Sequence, residues 1–375
     1  MREPVEIGCD ESGAEGEKLV GGNTDVFAHA SVVMDLDSAA ACMSELRARA
    51  PSPVTEYKAN HILREKHRAA LRWLLGPDGP VLGHVRVHLT DKTFLVAGKV
   101  ADLLAPDDTP AAAPSDAPAS HPDGAPASHP NGAPASHPNG GPASHPGEAP
   151  GLFPCTSSRA LATVLYREGP AAFGPKRWTA FLDSFNYLLR AKNGQGIDMS
   201  VEDAFRLVGE LRTADGPAGE VMELLWRARP RVAAFRERLL AGPDVFPALD
   251  PLIPAIVRAV TSWGGAAEGG PGRPVSVVHD RQTTLTDERI ARLRAALGPA
   301  LAGLRLVESR LDARVQVADV MAGVARKVAS DELNGRGDAR LTALLRPYVD
   351  AYSIWGDERS RALLMPPLPG EVMYR

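Results

Sequence analysis

The chain has 375 residues, with 42 Lys and Arg against 46 Asp and Glu, a formal net charge of −4 and a hydrophobic content of 44%. That length and balance suit a folded globular protein of one or two domains, and they exclude a global basic field, so any contact with nucleic acid must come from local Arg and Lys clusters. Three widely spaced cysteines, Cys9, Cys42 and Cys155, form no zinc-type pattern and fit a reducing cytoplasm better than a disulfide framework.

Glu3 and Glu6 occupy the N-terminal stretch where a signal peptide carries basic and apolar residues, and no apolar run reaches membrane-spanning length. The expectation is a cytoplasmic protein without a membrane partner. Val5, Ile7 and Cys9 alternate with Glu6 and Gly8, the period of a short strand. That strand runs into Asp10 and Glu11, followed by Ser12-Gly13. Asp commonly opens a solvated turn, but a carboxylate at a strand end also sits at a sheet rim, open to a ligand. Ala14 to Asn23 reads as a hairpin loop, and its glycines match no phosphate-binding loop. Val26 to Met34 predicts a second strand, antiparallel to the first. Ser38 is placed as the cap of a helix ending near Pro51.

Thr55-Glu56-Tyr57-Lys58 precedes a helix expected from about His61 to Leu75. Glu56 and Lys58, two apart, project from one face of an extended backbone, and read locally they are an exposed ion pair of little energy. Val85 to Leu89 alternates as a third strand ending at Asp91-Lys92, with a short helix to about Leu104. From Pro106 to Pro150 an octad recurs that places His121, His129, His137 and His145 at a period of eight. Such a tract has no side chains for a core and predicts a disordered linker; an expanded repeat explains the histidines more simply than metal binding.

From Ser158 to about Trp263 the pattern is helical, with basic residues Arg177, Arg190, Lys192, Arg227, Arg229 and Arg231. They read as a solvated face in preference to a groove for a phosphate backbone. Val275 to Asp280 is a strand ending on an acid, Thr286 opens a helix through Leu297, and Leu304 to Ser309 is a final strand. In the helix around Val315 to Ala325, Gln316, Asp319 and Gly323 lie beside a buried stripe of Val317, Val320, Met321 and Val324. An Asp in so apolar a helix is expensive if buried alone, so Asp319 belongs at a rim or near a cation. Leu363 to Arg375 reads as an extended surface tail.

Asp10, Asp280 and Asp319 thus sit at comparable positions on three elements, with Glu56 as a fourth. Clustered carboxylates favour hard divalent cations such as Mg2+ or Mn2+, and paired ions of that kind cleave phosphodiesters. No Gly-x-Ser-x-Gly elbow supports a serine hydrolase.

The opening Asp10-Glu11-Ser12-Gly13, the Glu56-x-Lys58 step and Gln316-Val317-Ala318-Asp319-Val320-Met321-Ala322-Gly323 together resemble the domain-of-unknown-function 3800 family. The resemblance covers residues 1–104 and about 272–330. It implies a ribonuclease-H-like α/β fold, a mixed sheet with flanking helices, interrupted by the linker and an all-helical insertion. The division expected is 1–104 and 272–347 as the two parts of the core, 105–153 as linker, 154–271 as insertion and 348–375 as tail. By that analogy Asp10, Asp280 and Asp319 are catalytic metal ligands, Glu56 supplies a further catalytic carboxylate, and Glu11 is a substitute ligand. Lys58 and Gln316 become substrate-binding candidates. The function implied is a Mg2+- or Mn2+-dependent nuclease acting on DNA or RNA; the alternative is a non-catalytic nucleic-acid- or protein-binding module on the same fold.

Overall fold

A computed structural model describes residues 3–52, 57–104, 156–190, 199–242, 248–265 and 272–367. The linker expected at 105–153 and the carboxylate of Glu56 lie outside the described residues. The core is an α/β arrangement around a five-stranded mixed sheet: β1 (Val5–Ser12), β2 (Val26–Val32), β3 (Val85–Asp91), β4 (Val275–Asp280) and β5 (Leu301–Val307), in the order β3-β2-β1-β4-β5. β2 is antiparallel to both its neighbours, β1 and β3, while β4 is parallel to β1 and to β5. The strands leaving β1 and β4 run to opposite sides of the sheet. The β1–β4 junction is therefore a topological switch point, where a crevice opens at the C-terminal strand ends.

The helices are α1 (Leu36–Arg49), α2 (Ala59–Ile62), α3 (Arg68–Leu75), α4 (Lys92–Asp102), α5 (Thr156–Phe173), α6 (Pro175–Leu188), α7 (Val201–Leu211), α8 (Pro217–Arg227), α9 (Arg229–Ala241), α10 (Leu252–Gly264), α11 (Asp287–Leu297), α12 (Ala313–Leu333), α13 (Ala339–Leu345) and α14 (Glu358–Leu364). α12, about 31 Å long at 1.5 Å per residue, crosses the sheet over β1 and β2. With α1, α2, α3, α13 and α14 it buries Ala28, Ala30, Val87, Val317, Met321 and their neighbours on one face. The opposite face packs Ile7, Cys9, Phe27 and Val277 against α10 and α11. A separate core joins α4 to α5 through α9, built on Phe181, Phe185, Phe205 and Trp178.

Several expectations need correction. α10 belongs to the sheet layer and not to the helical insertion, because Ile253, Ile256, Val257 and Val260 are the cover for β1 and β4. The helix expected from His61 to Leu75 is broken into α2 and α3, with Arg64 extended (φ −66°, ψ 143°) between them. Residues 64–68 are Arg-Glu-Lys-His-Arg, a turn without an apolar side chain to bury. The first helix is capped by Asp35, whose carboxylate accepts the Ser38 N–H at 2.7 Å, so Ser38 is the capped residue and not the cap.

The segment expected as a tail is integral as far as residue 367. Asp350 N–H donates to the Val87 carbonyl and Ile354 N–H to that of Leu89, covering the free edge of β3. Trp355, Leu364 and Met365 are buried in the main core. Arg258 of α10 holds Asp350 with two hydrogen bonds, Nε to Oδ2 at 3.0 Å and a terminal nitrogen to Oδ1 at 3.1 Å.

Candidate functional site

Side-chain alternation along β1 divides its two acids. Ile7 and Cys9 face α10, and Glu11 continues that row. Gly8 and Asp10 face α12; a Cβ on Gly8 would lie 2.5 Å from the Arg314 Cβ, so only glycine admits the helix this close. On β4, Val275, Val277 and His279 follow the α10 face and Asp280 the α12 face. Asp10 and Asp280 therefore leave adjacent parallel strands on one side, beneath the helix that carries Asp319.

Asp10 is 5% exposed. Burial pushes its carboxyl far above the usual range, and the neighbouring carboxylates of Glu11, Asp319 and Asp280 push it further; the N–H of Glu11, donating at 2.7 Å, only partly offsets them. The charges of Asp280 and Asp319 are thus felt at Asp10. Each is held by its own partner. Asp280 accepts the Ser309 N–H at 2.8 Å, and Lys58 Nζ lies 3.0 Å from an Asp319 oxygen. Among the described residues, no group of three or more His, Cys, Asp and Glu side chains is gathered tightly enough to hold a metal ion as it stands. The donor chemistry nevertheless fits a hard divalent cation: oxygen ligands, one of them a buried carboxyl whose anion the Glu11 N–H only partly compensates.

Glu11 keeps different company. Gln282 donates to one of its oxygens, and the other, buried and without a hydrogen bond, faces His279 Nε2 at 3.6 Å. Burial raises this carboxyl, with His279 and Gln282 pulling it back. His279 stacks on His29 at 5.4 Å between ring centroids, and His29 is paired across the sheet with His88. Burial holds His29 well below its usual range, so it is neutral at pH 7. No periodicity marks this histidine row in the sequence, because the three residues come from three strands. Gln316 Nε2 reaches the Arg310 carbonyl at 3.5 Å, beside the turn whose Ser309 N–H holds Asp280.

The loop after β1 is anchored by the helical block. Asn186 of α6 accepts the N–H groups of Leu19 and Val20 and donates to the Glu17 carbonyl, which Arg190 also binds. Lys92, almost fully buried, donates to Glu15 at 3.1 Å and to Thr24 at 2.6 Å. The basic residues of that block already have partners: Arg227 pairs with Glu223, Arg229 with Glu202, and Arg231 bonds the carbonyl of Leu103 at the end of α4. Arg227 and Arg229 keep a solvated face, whereas Arg190 departs from that expectation, being buried and bonded to the Glu17 carbonyl and to Asn186. Among the described residues Arg177 has no salt-bridge partner, and Lys192 lies outside them.

Among the described residues, no helix is long and apolar enough to cross a membrane. Comparison with protein-family models, with curated proteins and with solved structures found no match to the chain.

Proposed function

We propose that the chain is a metal-dependent phosphodiester-cleaving enzyme, a nuclease of DNA or RNA, built on a ribonuclease-H-like core and working in the cytoplasm. The observation that carries this reading is the pairing of Asp10 and Asp280 on one face of adjacent parallel strands, with Asp319 electrostatically coupled to Asp10 from the helix above. The mixed sheet, its reversed second strand and the closing helix over β1 agree with the layout that the resemblance implies. Cys9 and Cys42, both buried free thiols, suit a reducing compartment.

Asp10, Asp280 and Asp319 would hold Mg2+ or Mn2+. Such an ion supplies a Lewis acid for the phosphoryl oxygens and an activated water. The protein's part is orientation. The Ser309 N–H fixes Asp280, the Glu11 N–H fixes Asp10, and Lys58 neutralises Asp319 from the solvent side, where it also meets an anionic substrate. Gln316 steadies the 309–311 turn.

One observation favours the alternative, a non-catalytic binding module: the carboxylates are not gathered into a ligand shell. Cleavage of labelled single- and double-stranded DNA and RNA in Mg2+ or Mn2+, with Asp10→Asn and Asp319→Asn alongside, separates the two. Metal-dependent cleavage lost in both variants supports the nuclease. Binding without cleavage by the wild type supports the module.

A further inference from the structure

α12 is buried on nearly every side. Its open stripe runs through Gln316, Asp319, Arg326, Ser330 and the exposed Lys327, which pairs with Asp331, and is interrupted at Gly323, where Ala59 sits so close that any side chain would collide. Asp319 belongs to the carboxylate group. Arg326, two turns along the same stripe and about 10 Å further by helical rise, is unexplained by it.

Arg326 is half-buried, and its Nε donates to the Ser12 hydroxyl at 2.9 Å. No carboxylate pairs with it among the described residues. Its charge is felt at Lys92, which Glu15 neutralises and on which Asp25, the acceptor of the Ser330 hydroxyl one turn along α12, also acts. The arginine's stem lies over Gly13, where a Cβ would come 2.8 Å from its Cδ and where φ is +87°. Ser12 thus fixes Nε, and Gly13, which its positive φ and the Val26 carbonyl crowding any Cβ already hold as glycine, leaves the methylenes room. Fixing Nε leaves the two terminal nitrogens as a planar pair of donors.

We propose that Arg326 is a substrate-positioning residue that grips a backbone phosphate of the nucleic-acid strand, about three nucleotides from the point above Asp319 at the 3.4 Å per-strand rise. A guanidinium held by one nitrogen, with its fork in no salt bridge among the described residues, matches the geometry of a phosphate diester. The assignment rests on the nuclease reading only for the identity of the strand. The charge, the fork and the Ser12 anchor stand without it.

The test is fluorescence anisotropy of fluorescein-labelled 20-nucleotide single-stranded DNA and RNA on the full chain, in EDTA to silence cleavage, across a KCl series. Arg326→Gln, which keeps the stem and a donor for Ser12, is expected to weaken binding about tenfold, the worth of one charge-assisted contact. It should also flatten the slope of log affinity against log salt by about 0.7, one released counterion. Arg326→Lys should keep the wild-type slope while losing affinity through loss of the fork. Unchanged affinity and slope in Arg326→Gln, with its melting temperature intact, would overturn the proposal, as would a wild type that binds neither probe. If Arg326→Gln weakens binding but the wild type never cleaves in Mn2+, the phosphate grip stands and the nuclease reading falls. If the wild type cleaves and Arg326→Gln binds normally, the reverse holds.

Discussion

Asp10 and Glu11 are adjacent in β1 and leave it on opposite faces of the sheet, Asp10 under α12 and Glu11 beside His279. A doubled acid in the sequence is thus one member of the carboxylate group and one member of a histidine row. Asp10→Asn is expected to lower metal-dependent cleavage by about a hundredfold or more, exceeding the 10–100-fold typical of outer partners of a metal site. Glu11→Gln is expected to fall within that outer-partner range. Steady-state cleavage rates for the two variants check this, and equal losses would return Glu11 to the ligand set.

Asp10 also controls stability. Its folded-state pKa is raised, to about 9, by burial first and by Glu11, Asp319 and Asp280 next. A carboxyl raised on folding stabilises fully below its unfolded value, near 4, and loses that contribution as pH climbs through the folded value. The metal-free protein should therefore weaken between about pH 4 and pH 9. Asp10→Asn, which cannot ionise, should melt higher than the wild type at pH 8, by roughly 2–4 °C for each kcal/mol relieved. The advantage should vanish near pH 4. Thermal melts in EDTA at pH 4, 6 and 8 measure it.

Asp350 carries the opposite sign. Burial would raise its carboxyl, but hydrogen bonds from His88 and Arg258 overcome burial and hold it well below the usual range. A depressed carboxyl stabilises above its unfolded value, near 4, and loses the contribution as pH falls through the folded value. Asp350→Asn breaks a largely buried pair and leaves Arg258 without its carboxylate, an expected loss at pH 7 below the ~3–5 kcal/mol of a fully buried pair. Urea unfolding should show that gap narrowing below pH 4.

Close approach of α12 to β1 is what brings Asp319 over Asp10. Gly8→Ala would place a Cβ 2.5 Å from the Arg314 Cβ and 3.0 Å from its backbone carbon, so the helix itself must shift. Overpacking of this kind costs about 1–3 kcal/mol. A lower urea midpoint with an unchanged slope is the expected result.

The strands were legible because β1 and the start of β3 alternate and β4 is an apolar run, although the sheet is covered on both faces. The acids at their ends were legible as strand termini. Which face each acid takes depends on register, and Glu11 could be separated from Asp10 only once β1 was paired with β2 and β4. The role of α10 was hidden for a similar reason. Its apolar residues look like any bundle helix, and only the placement of β4 shows that they cover the sheet. Residues 348–367 read as a tail because edge pairing on β3 uses backbone groups, which composition does not reveal. Arg326 lacked any signal, since its meaning comes from Ser12, more than three hundred residues away in the chain.

Mn2+ binding by isothermal titration calorimetry at pH 8, on the wild type and on Asp10→Asn, Asp280→Asn and Asp319→Asn, tests the central claim most directly: that these three carboxylates hold one divalent site. Saturable binding by the wild type is expected, with a loss of at least about tenfold in each variant, since each removes an oxygen donor from the shared site. Binding that survives in all three variants, or a wild type that binds no Mn2+, would contradict it.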